Sequence, residues 1–204
     1  MLNVQLEKKL SHFNLDITFQ VNNETVILFG PSGSGKTTIL NCIAGLSVPD
    51  QGNISLNNNL LTRNKQTLVP TQRRKTGYVF QDYALFPHKT IGDNIRYGSQ
   101  DKLLIQHLLR ILKIDHLVSK YPHQISGGEK QRTALARALA AKPSVLLLDE
   151  PFSSLDEKTK YNCQQELLRL KKEWMIPVVL VTHDRSEAEQ LGDRILSLEK
   201  GKIK

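Results

Sequence analysis

The chain reads Thr25-Val26-Ile27-Leu28-Phe29-Gly30-Pro31-Ser32-Gly33-Ser34-Gly35-Lys36-Thr37 near its start, and this stretch predicts the fold. Its first five residues form an apolar run, which is typical of a strand buried on both faces of a parallel sheet. The next eight match the pattern GxxxxGKS/T, and residues 39–43 continue as a helix. Glycines let the backbone wrap a phosphate group with its N–H groups, and the helix N-terminus adds positive potential. The stretch therefore predicts an α/β fold with a phosphate-binding loop between a strand and a helix.

This phosphate-binding loop also suggests roles for individual side chains. We expect Lys36 to contact the β- and γ-phosphates of a nucleotide and the Thr37 hydroxyl to ligate Mg²⁺. A glycine-rich turn that binds nothing is the alternative, and the strand and helix on either side of the loop argue against it. The residues predicted to bind the nucleotide here are Gly30, Pro31, Ser32, Gly33, Ser34, Gly35, Lys36, Thr37 and Thr38.

Two further apolar runs, at residues 145–148 and 178–181, predict more buried parallel strands. Ligands of open α/β sheets bind at the carboxyl ends of the strands, so the polar residues that follow these runs are expected to converge. Asp149 ends the first run and is expected to be a second Mg²⁺ partner, acting through water. Glu150 is better placed to polarise the attacking water as a general base, and a solvent-facing charge is the alternative.

The remaining patterns predict one domain with a helical insertion. Alternating apolar residues at 2–6 and 15–21 indicate strands with one solvated face. Asparagines at 57–59 between two short apolar runs indicate a hairpin, because asparagine tolerates a positive φ. Further predicted elements are strands at 77–80 and 195–198 and helices at about 101–113, 127–141 and 157–174.

The composition excludes several classes of protein. With 204 residues, of which 39% are hydrophobic, the chain can bury a core and is not expected to be disordered. The formal charge of +8 is spread along the chain, so we expect no nucleic-acid partner. Cys42 and Cys163 lie far apart and imply no disulfide framework. The longest apolar runs are far shorter than the roughly 20 residues of a membrane-spanning helix, so the chain is not expected to form a pore.

A second glycine-containing stretch points to one family. Residues 126–132 read Ser126-Gly127-Gly128-Glu129-Lys130-Gln131-Arg132, and two glycines that open a helix offer an anion site. Read alone, these glycines would mark only a turn and a helix start. The stretch resembles the signature sequence of ABC transporter ATP-binding subunits, which in that family meets the γ-phosphate held by the other protomer. The resemblance implies that Ser126, Gly127 and Gly128 complete the nucleotide site of a partner copy.

Three further motifs of that family occur at matching positions along the chain. Gln81 matches the Q-loop glutamine, which approaches Mg²⁺ and water, residues 153–156 match the D-loop, and His183 matches the switch histidine, which touches the γ-phosphate. The resemblance covers essentially the whole chain and implies ATP and Mg²⁺ as ligands. It implies catalytic roles for Glu150, His183, Gln81 and Lys36, and metal binding by Thr37, Gln81 and Asp149.

The resemblance implies the fold of an ABC ATPase cassette. This fold is a P-loop NTPase core with a mostly parallel sheet, an N-terminal antiparallel β subdomain and an inserted α-helical subdomain. We expect residues 1–204 to form one such domain, with the helical subdomain at about residues 84–140. Related cassettes commonly carry a C-terminal regulatory domain, whereas this chain stops at Lys204, just after the predicted strand at 195–198. We expect no such domain within residues 1–204, and its removal from a longer protein is the alternative. The family's aromatic platform for adenine has no clear counterpart, and His12 and Phe13 are candidates.

Finer matches at residues 73–82, 85–88 and 94–98 look like the molybdate-importer ATPases. This resemblance implies a homodimer that forms on ATP binding and transmembrane permease subunits docked on the segment from Tyr83 to His88. It also implies, indirectly, a periplasmic or extracellular solute-binding protein, and a peripheral location on the cytoplasmic face of the cell membrane. The implied solute is molybdate or a related oxyanion, and a cassette for another small solute is the alternative.

Three other classes of nucleotide-binding protein fit the sequence less well. Chromosome-maintenance ABC ATPases split the cassette with a long coiled coil, whereas only 90 positions separate Lys36 from Ser126. A P-loop kinase would not need the element at residues 126–131, and a GTPase would carry a guanine-reading NKxD motif, whereas Asn64-Lys65-Gln66-Thr67 lacks the acid. A regulatory cassette that binds nucleotide without hydrolysing it would not need both Glu150 and His183.

Overall fold

The computed structural model describes residues 1–153 and 155–204, in which eleven strands form one sheet. The strands are β1 (Leu2–Lys9), β2 (Asn14–Val21), β3 (Thr25–Phe29), β4 (Gln51–Leu56), β5 (Asn59–Arg63), β6 (Gln66–Thr67), β7 (Thr76–Val79), β8 (Val145–Asp149), β9 (Val178–Thr182), β10 (Arg194–Glu199) and β11 (Lys202–Ile203). The α-helices are α1 (Lys36–Ala44), α2 (Ile91–Arg96), α3 (Lys102–Ile111), α4 (Gly127–Ala140), α5 (Glu157–Trp174) and α6 (Arg185–Leu191). Short 3-10 helices span Thr71–Arg73, Asp115–Leu117 and Pro122–Gln124.

One half of the sheet is parallel, in the order β10-β3-β9-β8-β7. Every residue of β8 and β9 is buried, and β3 is buried up to its last residue. The three apolar runs of the sequence are therefore neighbouring strands of one parallel sheet, as predicted. Because they run in the same direction, the residues that follow them reach the same edge of the sheet.

The N-terminal half of the sheet is mainly antiparallel, as predicted. Strand β1 pairs with β2 on one side and β4 on the other, and β4 continues into β5 through a hairpin. Asn57 and Asn58 in this hairpin adopt φ values of 50° and 63°. Asparagine tolerates this left-handed conformation, which a two-residue turn of this kind requires.

The predicted helices are all present, with small differences at their ends. The helix predicted at about 101–113 spans Lys102–Ile111, and the one predicted at 127–141 ends at Ala140. The helix predicted at 157–174 is α5, and Asp156 caps it by accepting a hydrogen bond from the Thr159 N–H. Helices α2, α3 and α4 lie between β7 and β8 in the chain, so the helical insertion is present, and the proposed domain bounds of about 84–140 stay a prediction.

A buried arginine fastens the helix that follows the phosphate-binding loop. Arg74 is 2% exposed and donates to the carbonyl oxygens of Cys42 and Ile43 at the end of α1. It also donates to the Val69 carbonyl and to the Thr62 hydroxyl in β5. These acceptors and the negative end of α1 compensate its charge, so Arg74 joins α1 to the antiparallel half of the sheet.

Within residues 1–153 and 155–204, no helix is both long and apolar enough to cross a membrane.

Candidate active site

The phosphate-binding loop ends at a helix whose N-terminus is open. Gly33 and Gly35 adopt φ values of 79° and 104°, a conformation that side chains with a Cβ rarely take. Gly35 caps α1 without a side-chain hydrogen bond, and the first turn of α1 carries no acidic residue. The N–H groups of this turn and the positive end of the helix therefore suit an anion.

Lys36 lies folded back onto the loop. Its Nζ donates to the carbonyl oxygens of Gly30 and Pro31 at 2.8 and 2.9 Å, and the residue is 5% exposed. Burial lowers the pKa of Lys36 in spite of the opposing charges of Glu150 and Asp149. The ammonium group is thus held in the loop by two carbonyl groups, which phosphate oxygens could replace as stronger acceptors.

The Ser34 hydroxyl is a buried polar group that lacks a hydrogen-bond partner in the described part of the chain. Buried hydroxyl groups of native proteins are normally paired with protein groups, ordered water or a ligand. Ser34 lies in the middle of the phosphate-binding loop, so an oxygen of a bound phosphate would satisfy it. This observation supports the assignment of the loop without reference to its sequence pattern.

Asp149 and Thr37 lie together at the end of β8. The Thr37 hydroxyl donates to Asp149 Oδ1 at 3.2 Å, and burial raises the pKa of Asp149 although this hydrogen bond opposes the shift. The Tyr78 hydroxyl lies 3.5 Å from Asp149 Oδ2 and 3.1 Å from Asn41 Oδ1. Tyr78 was not predicted as part of the site, although its position on the predicted strand before Gln81 was a signal that could have found it.

Glu150 lies close to two other predicted site residues, Gln81 and His183. Its Oε2 lies 3.4 Å from Gln81 Nε2, and its Oε1 lies 3.3 Å from His183 Nδ1. The Glu150 backbone adopts φ 44°, and its N–H donates to the Val181 carbonyl at 3.0 Å. Residues that follow β7, β8 and β9 are thus brought together at one edge of the sheet, as the parallel order requires.

The signature residues begin helix α4. The Ser126 hydroxyl and the Glu129 carboxylate form a reciprocal capping box, in which the Ser126 N–H donates to Glu129 Oε2 at 2.7 Å. Ser126 and Gly127 are exposed, whereas Gly128 is buried against Thr159 of α5, where a larger side chain would overlap. Across the described residues, no hydrogen bond or ion pair joins residues 126–128 to residues 30–38.

The D-loop match at residues 153–156 includes Ser154, which lies outside the described residues. Of the two candidates for adenine stacking, Phe13 lies near the phosphate-binding loop. A Cβ atom added to Gly35 would be 3.6 Å from Cε2 of the Phe13 ring.

A mostly apolar groove lies beside the segment from Tyr83 to His88. It has a volume of about 490 Å³. Arg137 of α4 donates to the carbonyl oxygens of Tyr83 and Ala84 at 2.8 and 2.7 Å and lies over the Phe86 ring. The side chains that give the groove its aromatic character are Tyr78, Phe80, Phe86 and Tyr97.

The part of the chain that forms most of this site matches a known family. A model of the ABC transporter family matches residues 14–153, which include the phosphate-binding loop, Gln81, the signature residues and Glu150. The chain belongs to the ABC transporter family.

Curated relatives of this ABC cassette are longer than the chain. The molybdenum import ATP-binding protein ModC of Haemophilus influenzae is 45% identical over 210 residues, covering 100% of the chain and 59% of ModC. The sulfate/thiosulfate import ATP-binding protein CysA of Mycobacterium bovis is 48% identical over 184 residues, covering 86% of the chain and 51% of CysA. The cassette therefore spans less than two thirds of the length of these relatives.

A solved structure shares the fold of this ABC cassette. It is described as the dimeric structure of a post-hydrolysis state of the ATP-binding cassette MJ0796 bound to ADP and Pi. The two match with a TM-score of 0.85 and 31% identity, over 100% of this chain and 97% of that one. The predicted fold class, an ABC ATPase cassette with antiparallel and parallel strands in one large sheet, is confirmed.

Proposed function

We propose that the chain is the ATP-binding and ATP-hydrolysing subunit of an ABC importer for an oxyanion. The observation that carries this proposal is the convergence of Gln81, Glu150 and His183 at the sheet edge that also holds the phosphate-binding loop. Molybdate is the first candidate solute because of the match to ModC, and sulfate or thiosulfate is the second because of the match to CysA.

Hydrolysis would use residues of this edge in separate roles. The loop of residues 30–38 binds the phosphates, and Lys36 exchanges its two carbonyl contacts for phosphate oxygens. Glu150 accepts a proton from the attacking water, whose oxygen bonds to the γ-phosphorus while the bond to the bridging oxygen of ADP breaks. Gln81 orients the water, and His183 contacts the γ-phosphate. The products are ADP and inorganic phosphate.

The pair formed by Thr37 and Asp149 suits Mg²⁺. Both side chains offer the hard oxygen ligands that this ion prefers, and their oxygens lie 3.2 Å apart. Thr37 would hold the ion directly and Asp149 through water, with Gln81 as a third ligand. When bound, Mg²⁺ neutralises charge on the β- and γ-phosphate oxygens.

Two copies would form the complete site on ATP binding, arranged head to tail. Within one chain, no described hydrogen bond or ion pair joins residues 126–128 to the phosphate-binding loop, which is consistent with this arrangement. The dimeric state described for MJ0796 also supports it. Ser126, Gly127 and Gly128 of one copy then contact the γ-phosphate on the loop of the other copy. Hydrolysis therefore depends on closure of the pair.

The apolar groove would transmit the closure of the two copies to the membrane partners. Its aromatic lining and the segment from Tyr83 to His88 suit a helix of a transmembrane permease subunit. The chain would then lie peripherally on the cytoplasmic face of the cell membrane. A periplasmic or extracellular solute-binding protein would act through the permease and not through this chain.

The proposed function predicts ATP turnover that requires Mg²⁺ and responds to an oxyanion. Phosphate release is measured first for the purified chain with Mg²⁺ or with excess chelator, and we expect turnover only with Mg²⁺. It is then measured in vesicles that contain the chain, its permease and its solute-binding protein. Molybdate should stimulate turnover there and chloride should not. Stimulation by sulfate and not by molybdate would identify sulfate as the solute. Absence of Mg²⁺-dependent turnover in both preparations would overturn the hydrolytic role.

A further inference from the structure

A network of charged side chains lies directly behind His183. Lys160, in the first turns of α5, places Nζ 2.5 Å from Asp184 Oδ2 and 3.6 Å from Glu187 Oε2. Glu187 Oε2 also accepts a hydrogen bond from the Thr182 hydroxyl at 3.0 Å, and this hydroxyl accepts one from the Asp184 N–H at 3.1 Å. Thr182 and Asp184 are the two neighbours of His183 in the chain. The network therefore holds the backbone on both sides of that histidine.

Lys160 supplies the positive charge that both carboxylates of this network face. Glu187 is 3% exposed, and burial raises the pKa of its carboxyl group. The hydrogen bond from Lys160 holds the pKa of Asp184 well below its usual range. Without the Lys160 ammonium group, the carboxylates of Asp184 and Glu187 would lie near each other, and no other cation among the described residues pairs with them. This would be costly because Glu187 is almost fully buried.

The position of Lys160 connects two parts of the site. Asp156, in the D-loop match, caps α5, and Lys160 lies one turn further along the same helix. A cavity of about 180 Å³ separates this start of α5 from the segment that carries His183, and its lining includes Glu150, His183, Lys160 and Glu187. An ion pair therefore links the start of α5 to the segment that carries His183.

We propose that Lys160 is a positioning residue, which keeps the His183 imidazole against Glu150 by bridging Asp184 and Glu187. The inference rests on the proposed hydrolytic function. Lys160 is poorly suited to bind phosphate itself, because the two carboxylates around it outweigh its single charge. Its role is to fix His183 Nδ1 at the 3.3 Å distance from Glu150 Oε1 and to couple that contact to the start of α5.

The test compares Lys160→Met and Lys160→Arg with a control on the same helix. Lys171→Met is the matched control, because Lys171 also pairs from α5 with an aspartate, Asp193, which is not a neighbour of His183 in the chain. We expect Lys160→Met to lower kcat roughly ten- to a hundredfold with little change in the dissociation constant for ATP. Lys160→Arg should restore most of kcat, and Lys171→Met should leave kcat unchanged.

A readout that does not depend on turnover is the imidazole NMR signal of His183, assigned by its loss in His183→Ala. We expect Lys160→Met to shift or broaden this signal and Lys171→Met to leave it in place. Asp184→Asn, which retains the α6 cap, weakens the same bridge from the other side and substitutes for Lys160→Met if that variant does not fold. An unchanged kcat together with an unchanged His183 signal would overturn the inference. If the wild-type chain shows no turnover, the hydrolytic function fails, and the NMR signal still tests the position of His183.

Discussion

Replacement of Glu150 by glutamine should lower ATP turnover by a factor on the order of 10² to 10⁴, the contribution of a general base. Glutamine has the same shape but cannot accept the proton of the attacking water at neutral pH. Because the phosphate-binding loop is untouched, the dissociation constant for ATP should change little. Phosphate release gives the first quantity, and equilibrium binding of a fluorescent ATP analogue gives the second.

The control for this change is Glu189→Gln. Glu189 is a surface residue of α6 that pairs with Arg185, and its replacement should leave turnover within twofold or so of the wild type. Wild-type turnover in Glu150→Gln would remove Glu150 from the role of the base. A parallel loss of ATP binding would instead assign Glu150 to the binding of nucleotide.

Replacement of Lys36 by methionine should weaken ATP binding on the order of a hundredfold, and turnover should fall with it. The cost comes from the loss of a charged hydrogen-bond donor to phosphate in a buried position, where solvent does not screen the charge. Methionine preserves most of the length and apolar volume of the side chain, so the loop should keep its packing. Calorimetric titration with ATP measures the effect.

Lys142→Met separates this effect from a general loss of positive charge. Lys142 pairs with Asp101 on the surface, and its replacement should leave the dissociation constant for ATP unchanged. Tight binding of ATP by Lys36→Met would contradict the assignment of the loop.

The parallel strands and the phosphate-binding loop could be predicted because their signals are local. Strand β3 and the following glycines are consecutive in the chain, and burial on both faces leaves a continuous apolar run. The neighbourhood of Gln81, Glu150 and His183 could be expected from a general rule, since each follows a parallel strand.

The contacts of Arg74 and Lys160 could not be predicted in the same way. Each joins elements that are distant in sequence, and neither belongs to a repeating pattern. Arg74 satisfies carbonyl groups at the end of a helix about thirty positions earlier, an arrangement that depends on tertiary packing. The short strand β11 was also missed, because two residues are too few for a period to be recognised.

Functional complementation between two inactive variants tests whether the nucleotide is held between copies. Lys36→Met lacks the loop cation. Ser126→Asp keeps a good helix cap but sets a carboxylate against the triphosphate, and Ser126→Asn is its uncharged control.

Each variant alone should be nearly inactive, since every site of a symmetric pair then contains one altered residue. When the two are mixed, half of the pairs combine both variants and each of these has one intact site, so turnover should recover to about a quarter of the wild-type value. A mixture that forms pairs with ATP, as seen by light scattering, and yet stays as inactive as its components would contradict a site shared between the loop of one copy and the signature helix of the other.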